Sequence, residues 1–464
     1  MRVLHTSDWH LGRTLEGRPR LDEQREVLDE ICRIAEAHDV HLVLVAGDVF
    51  DTYNPPAEAE ELFYQALERL SAGGRRAVVA IAGNHDSPER LCAAGPLALR
   101  HGIFLVGRPG WPVAGTEAAP GAAGGGTPGA GGIVQTELAA LSEEELYAQP
   151  AIPRRGPAGS GKAADRTQLV GQGPGWVRLA LPGCAGQAVV AVLPYPSEAR
   201  LNEMLSGSLE EAEQQAAYAE RIALAWQQAC AAFRPDTVNL AVSHLYVAGG
   251  RESDSERQIQ LGGAYSIPAA ALPAGAQYVA LGHLHRPQGV PAAKAPCRYS
   301  GSPLCYSFSE ADQQKEVVLV DVEPGLPARV QPLPLQSGKP LKQWCAASLE
   351  EAQAWCSRPE NQRAWVDLEI AAPGPLADEA VSELRRAHPG LINIRVVRPE
   401  APFADQALQP SQLSLAENFR VFARRQLGAE PEQELVDLFL ALAHEVEAGG
   451  GQEGEEMKRE AQPG

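Results

Sequence analysis

Residues 41–46 and 77–82 are unbroken apolar runs, and each stops abruptly at a glycine followed by a polar residue, Gly47-Asp48 and Gly83-Asn84. An apolar run this short, with no alternation, suits a strand buried on both faces. Between the two runs, Leu62, Phe63, Ala66, Leu67 and Leu70 recur at helical spacing, and before them Val27, Ile31 and Ile34 share a helical face. A strand-like run at 2–6 stands in front. The first hundred residues therefore read as strand–helix–strand units, an α/β architecture with a mainly parallel sheet covered by helices.

The pattern breaks at residue 109. Residues 109–132 hold 13 Gly or Pro out of 24, and periodic signal stays poor to about 175, so 109–175 is expected to be a flexible insertion. Fold signals resume at 189–193, with a helix around 211–232 and strands at 238–243, 278–281 and 316–322. These complete a first domain over 1–335. A small α+β domain is expected over 338–400, with helices at 348–357 and 376–387 and strands at 364–370 and 391–397. A linker at 400–412 leads to two amphipathic helices within 413–447. Leu415, Phe419 and Phe422 form one apolar stripe, and Leu435, Leu438, Phe439, Leu442 and Val446 the second. The tail, 448–464, is rich in Gly and Glu and expected to be disordered.

No apolar run approaches the ~20 residues a bilayer span needs, and the strand at 2–6 leaves no room for a signal peptide. The eight cysteines are scattered without paired spacing, which suits reduced, buried thiols in a cytoplasmic protein. A net charge of −19 argues against a simple DNA-coating protein. It leaves room for a nuclease, whose bound divalent ions would create a local positive field. Part of the acidity is in the tail, where 401–464 carry 12 Asp/Glu against 5 Lys/Arg.

Five polar clusters stand at the ends of these apolar runs: Asp8-Trp9-His10, Gly47-Asp48, Gly83-Asn84-His85-Asp86, Ser243-His244 and Gly282-His283-Leu284-His285. The C-terminal edge of an open α/β sheet is where ligands bind, so the clusters would converge on one rim. Asp, Asn and His offer oxygen and imidazole nitrogen, a set suited to Mn²⁺, Fe²⁺ or Zn²⁺ rather than Ca²⁺. The D-x-H and H-x-H alternation puts both side chains of a pair on one side of an extended segment. Two such ions about 3.5–4 Å apart can bind a phosphodiester and activate water for its hydrolysis.

In this order the motifs resemble those of the calcineurin-like metallophosphoesterases, a β-sheet core layered with helices. The strings AGNHDSPERL, GRESDSERQIQLGG, YVALGHLHRPQ and YSGSPLCYSFSE are similar, more narrowly, to the SbcD family of bacterial nuclease subunits. The resemblance covers nearly the whole chain except 109–175 and the tail. It implies that Asp8, His10 and His285 bind one metal, that Asn84, His244 and His283 bind a second, and that Asp48 bridges them, with Mn²⁺ as the expected ion. It further implies that His85 protonates the leaving sugar oxygen or steadies the transition state, and that Asp86 orients His85. Asp51 stands where some relatives carry histidine, which puts a substrate contact there in doubt. The implied activity is 3′→5′ exonuclease on duplex ends and endonuclease on single strands and hairpins. The implied partner is an SMC-like ATPase, SbcC, in a complex with two copies of each subunit, gripped by the C-terminal helices.

Blander readings stand beside these. Asp48 and Asn84 could be helix N-caps, and His244 a core histidine. Arg13, Arg90, Arg251 and Arg257 could touch DNA phosphates or be ordinary solvated arginines. His5, His38, His41, His101, His388 and His444 match no motif and read as structural. The C-terminal stripes could cover the protein's own core. A phosphatase or cyclic-nucleotide phosphodiesterase would use the same core motifs, but it would have no need of the α+β domain and paired helices. A catalytically silent scaffold would require a damaged ligand set, and all seven positions are intact.

Overall fold

The computed structural model describes residues 1–116, 165–197, 211–256 and 266–398, and beyond these residues 419, 420, 423, 431, 433, 435, 436, 438 and 439. Met1–Val397 forms one compact unit and Arg398–Gly464 a second.

The apolar runs become strands. In chain order these are β1 (Arg2–Thr6), β2 (Leu42–Val45), β3 (Ala77–Ile81), β4 (Ile103–Val106), β5 (Gln168–Gly173), β6 (Trp176–Ala180), β7 (Gln187–Leu193), β8 (Val238–His244), β9 (Tyr278–Gly282), β10 (Gln288–Gly289), β11 (Cys297–Tyr299), β12 (Glu316–Asp321) and β13 (Arg329–Pro334). They assemble into two sheets rather than one. The first has the order β13-β12-β1-β2-β3-β4 and the second β10-β11-β9-β8-β7-β6-β5. Strands β1 to β4 run parallel, as do β7, β8, β9 and β11, while β12–β13, β5–β6 and β10 add antiparallel edges.

The sheets pack face to face. Val3, Leu42, Leu44, Val79, Ile81 and Phe104 of the first meet Val177, Leu179, Val190, Val192, Leu240 and Val242 of the second. Helices α1 (Leu21–Ala37) and α2 (Ala57–Ser71) cover the outer face of the first sheet with Val27, Leu28, Ile31, Leu62, Phe63 and Leu67. Helix α3 (Pro88–Cys92) follows β3, and α4 (Glu211–Ala229) covers the second sheet with Tyr218, Ile222 and Trp226. The result is four layers, helix–sheet–sheet–helix. The mainly parallel, helix-covered sheet expected for the first hundred residues is there, and a second sheet covers its other face. A strand apolar on both faces must be covered twice, but its periodicity does not say whether by a helix or by a second sheet.

The ends of the expected insertion belong to the fold. Strand β5 pairs along β6, Val113 is buried, and the Gln172 side-chain amide donates to Thr116 Oγ1 at 2.8 Å. Residues 117–164 lie outside the described residues.

The α+β element forms a parallel three-stranded sheet, β14 (Leu341–Ala346), β15 (Trp365–Ala371) and β16 (Leu391–Val397). Helices α5 (Leu349–Cys356) and α6 (Asp378–Ala387) pack on Val366, Leu368 and Ile370. Strand β14 had no counterpart in the sequence reading. This element is anchored to the first sheet's layers by Leu15, Leu341, Trp365 and Ile392 and by Glu23 of α1, whose carboxylate is held by Arg20 at 2.6 Å. Glu23 also accepts from Trp365 Nε1 at 2.8 Å and from the Lys339 amide at 2.8 Å.

In the second unit residues 419, 420, 423, 433, 435, 436, 438 and 439 are helical. The Phe419 and Phe439 rings stack at 4.0 Å. Ala423 and Val436 are buried, whereas Leu435 and Leu438 are 41% and 56% exposed. Leu415, Phe422, Leu442, Val446 and the expected disordered tail lie outside the described residues. Among the described residues no helix is long and apolar enough to cross a membrane. All eight cysteines are free, but only Cys32, Cys297 and Cys356 are buried; Cys92, Cys184, Cys230 and Cys305 are half-buried and Cys345 is exposed.

Candidate metal centre

The parallel strands β1, β2, β3, β8 and β9 deliver the five polar clusters to one rim where the two sheets meet. Asp8 and His10 leave β1, Asp48 follows β2, Asn84 and His85 follow β3, His244 ends β8, and His283 and His285 follow β9. The capping alternative for Asp48 and Asn84 is ruled out by position, because α2 begins only at Ala57 and α3 is capped by Ser87.

The backbone at the rim is strained where the donors sit. Asp8, His10, Asp48 and His283 have φ of 53°, 46°, 47° and 107°, and they are four of the seven described non-glycine residues with positive φ. Such conformations cost of order 1–3 kcal/mol each and persist only where surrounding structure enforces them, typically at functional sites. Close approach sets the glycines. Gly47 has a φ of 88°, and a Cβ on Gly83 would lie 2.0 Å from the Asp48 carboxylate.

The donors fall into two groups. Asp8, His10 and His285 bring ligand atoms together, as do Asp48, His244 and His283. The Nε2 atoms of His10 and His285 face each other at 2.9 Å. Two donors each about 2.0–2.2 Å from a shared ion would stand roughly 3 Å apart. Asn84 Oδ1 joins the second group, 2.8 Å from His244 Nε2 and 3.2 Å from His283 Nδ1. Asp48 Oδ2 lies 3.7 Å from His10 Nε2 and 3.4 Å from His244 Nε2, so it reaches both groups. A third cluster, His10, Asp51 and His85, shares His10 with the first.

The electrostatics call for a cation. Burial pushes the Asp8 carboxyl up to about 8, against the charge of His244. Burial also opposes ionisation of Asp48, but the charges of His244 and His85 hold its carboxyl well below the usual range. His244 is raised to about 9 because Asp48 outweighs the burial that would lower it. His10, His283 and His285 are lowered by burial. Asp48 and His244 thus favour each other's charged forms, while burial disfavours the ionised form of Asp8. Neutral imidazoles and ionised carboxylates are the forms that bind metal. The residues present fit a divalent-metal centre.

Asn84 is only partly buried, unlike the other six donors, as is His85 beside it, so the two mark the open side. The amide of His85 donates to Asp48 Oδ1 at 2.9 Å, and its ring Nδ1 lies 2.6 Å from the carbonyl oxygen of Asp51. The Asp86 carboxylate accepts from the amides of Gly83 at 2.8 Å, Phe50 at 2.9 Å and Val49 at 3.1 Å, tying the β2 and β3 loops together.

Several residues that hold the rim have no role in the sequence reading. Gln24 donates to the His10 carbonyl at 2.8 Å and accepts from the Gly12 amide at 3.0 Å. Tyr306 donates to the Trp9 carbonyl at 2.5 Å. Ser255, Glu310 and Lys315 form a buried chain behind His285. Ser255, Tyr306 and Glu310 lie in the strings 250–263 and 299–310, which carried a resemblance but no assigned chemistry, whereas Gln24 and Lys315 lie outside both. Of the candidate DNA-contacting arginines, Arg13 donates to the Ser255 carbonyl at 2.6 Å and Arg90 pairs with Glu60 at 2.9 Å. Arg251 lines a polar cleft of about 460 Å³ with Arg286 and Gln288. Arg257 lies outside the described residues.

A double sheet with this rim of Asp, Asn and His defines a calcineurin-like phosphoesterase, and the model of that family matches residues 1–125. The chain is 42% identical over 96% of its length to the SbcD subunit of the SbcCD nuclease of Bacillus subtilis, spanning 99% of that protein. It is 33% identical to the Rhodobacter capsulatus SbcD protein over 89% of this chain and 91% of that one, and 28% identical to the Escherichia coli K12 SbcD protein over 96% and 98%. The chain belongs to the SbcD family of nuclease subunits and is a hydrolytic, metal-dependent nuclease.

Proposed function

We propose that the chain is the two-metal subunit of a DNA-end-processing nuclease, with Asp8, His10 and His285 on one ion, Asn84, His244 and His283 on the other, and Asp48 between them. The observation that carries this reading is the position of Asp48 Oδ2 between His10 and His244, at 3.7 and 3.4 Å. Four imidazoles among seven donors favour Mn²⁺ over Mg²⁺. Two ions held there would supply the Lewis acidity that activates water and neutralises the phosphodiester oxygens.

The protein's own groups do the rest. With Nδ1–H held on the Asp51 carbonyl, the His85 ring keeps Nε2 for the substrate. Protonated, it gives that proton to the leaving sugar oxygen. Asp48 accepts from the His85 amide, so one carboxylate sets both the donors and the acid. Asp86 fixes the distance between the loops that carry them.

The substrates proposed are duplex DNA ends, cut 3′→5′, and single strands and hairpins, in the cytoplasm. The proposed partner is an SbcC-like SMC ATPase in a complex of two copies of each chain, since three similar proteins are named as parts of an SbcCD nuclease. The exposed Leu435 and Leu438 supply an apolar face for that contact. The test is purified protein with Mn²⁺ on hairpin DNA, with and without the ATPase, alongside metal analysis. Two ions per chain and ATP-stimulated cleavage are expected. One ion or none, or full activity in Ca²⁺ alone, would overturn the reading.

A further inference from the structure

Behind His285 a run of polar groups is buried where apolar packing would be the default. Ser255, Glu310 and Lys315 are 4%, 0% and 5% exposed, and His285 itself 1%. Their contacts form a chain with one consistent direction. Lys315 Nζ lies 2.5 Å from Glu310 Oε2 and also donates to the His285 carbonyl at 2.8 Å and to Ser302 Oγ at 3.1 Å. Ser255 Oγ contacts both Glu310 Oε1 and, at 2.5 Å, His285 Nδ1.

The direction follows from what each group can do. An ammonium only donates and an ionised carboxylate only accepts. Glu310, paired with Lys315, must therefore receive the Ser255 hydroxyl proton. Ser255 Oγ is left as an acceptor, so His285 must carry its proton on Nδ1. The lone pair then falls on Nε2, the atom that faces His10 Nε2. The loop bearing Ser255 is gripped on either side of the contact. Arg13 donates to the Ser255 carbonyl at 2.6 Å, and the next residue, Glu256, accepts from the His285 amide at 2.7 Å.

We infer that Glu310, acting through Ser255, is a positioning residue that locks His285 in the tautomer able to donate Nε2 to a divalent ion. The inference rests on the metal-site reading above and adds to it the groups that set one ligand. Outer partners of a metal-bound histidine fix its tautomer and ring pose, and their loss weakens metal affinity about 10- to 100-fold.

The test uses full-length protein with ¹⁵N-labelled histidine, freed of metal by chelation, with the His285 signals assigned by their loss in His285→Ala. In the wild type, His285 should show a protonated Nδ1 and a bare Nε2. Ser255→Ala and Glu310→Gln should mix the tautomers and weaken one of the two Mn²⁺ binding steps about 10- to 100-fold. The other step should be unchanged. Ser255→Thr, which keeps the hydroxyl, should restore both readouts, a rescue that a mere packing role would not give. A wild-type proton on Nε2, or unchanged tautomer and affinity in both Ser255→Ala and Glu310→Gln, would overturn the inference. If His285→Ala binds as many ions as the wild type, it is the metal-site reading that fails, and the relay loses its purpose with it.

Discussion

His10 and His285, 275 residues apart in the chain, bring their Nε2 atoms to 2.9 Å from each other. Each is fixed from behind by a different element. Gln24 of α1 holds the His10 carbonyl, and the Ser255 loop holds the His285 ring. If both facing ring nitrogens are unprotonated, two lone pairs point at each other with no proton between them. A shared cation resolves that conflict, and so the pair belongs with the donors rather than with the core.

His85 and Asp86 are adjacent but should fail differently. His85→Ala removes a partly exposed ring that is not among the seven donors, so bound metal should stay at the wild-type level while cleavage falls about 10²- to 10⁴-fold. Asp86→Ala removes the acceptor of three buried amides. Each orphaned donor costs about 1–3 kcal/mol, so thermal stability should drop before any question of catalysis arises. Metal analysis and melting of the two variants side by side decide it. A metal-free His85→Ala protein would contradict the role given to that ring.

The Arg20–Glu23 pair is a stability element. Removing one partner of a buried pair costs about 3–5 kcal/mol. Glu23→Ala should cost more than Arg20→Ala, because Glu23 also serves Trp365 Nε1 and the Lys339 amide. Denaturant unfolding measures both. Equal losses would mean that the two extra acceptor contacts carry little.

His5 makes a pH prediction outside the donor set. Its ring bridges the sheets through Tyr278 Oη at 2.9 Å and the Leu281 carbonyl at 3.1 Å, and burial lowers it to about 3. The folded protein keeps it neutral while the unfolded chain protonates it near its ordinary value of about 6.5. Its contribution is therefore fully present above about 6.5 and is lost as pH falls toward about 3. His5→Gln should flatten the fall of unfolding free energy between pH 6.5 and pH 4 by up to about 1.4 kcal/mol per pH unit. Identical slopes for the two proteins would show that His5 does not titrate on unfolding.

The C-terminal stripes divide into two jobs. Phe419 stacks on Phe439, so Phe419→Glu should reduce helix content in the isolated chain. Leu435 and Leu438 are exposed, so Leu435→Glu with Leu438→Glu should leave helix content and metal intact yet abolish co-purification with the ATPase. Circular dichroism and pull-down separate the two. A Leu435/Leu438 variant that still co-purifies would assign the contact elsewhere.

Local pattern alone determined much of this protein. The strands β1, β2 and β3, the helices on the first sheet and the five polar clusters follow from short-range periodicity and from polar residues breaking off apolar runs, because a strand end and its D-x-H or H-x-H spacing are properties of a few consecutive residues, whereas the choice of seven metal donors among them came from the family resemblance. The two ends of the expected insertion were not legible, since the pairing that makes β5 a strand comes from β6 and from Gln172 reaching back to Thr116. Tertiary structure decided the rest. Residues 42–45 are apolar on both faces whether a helix or a second sheet covers them, so only packing could choose the double sheet. The contact of the His85 ring Nδ1 with the Asp51 carbonyl, 34 residues away in the chain, likewise arises only where the β2 and β3 loops meet. The chain from Lys315 through Glu310 and Ser255 to His285 spans three separate segments. No local signal can encode a hydrogen bond whose partners meet only after the sheets have closed.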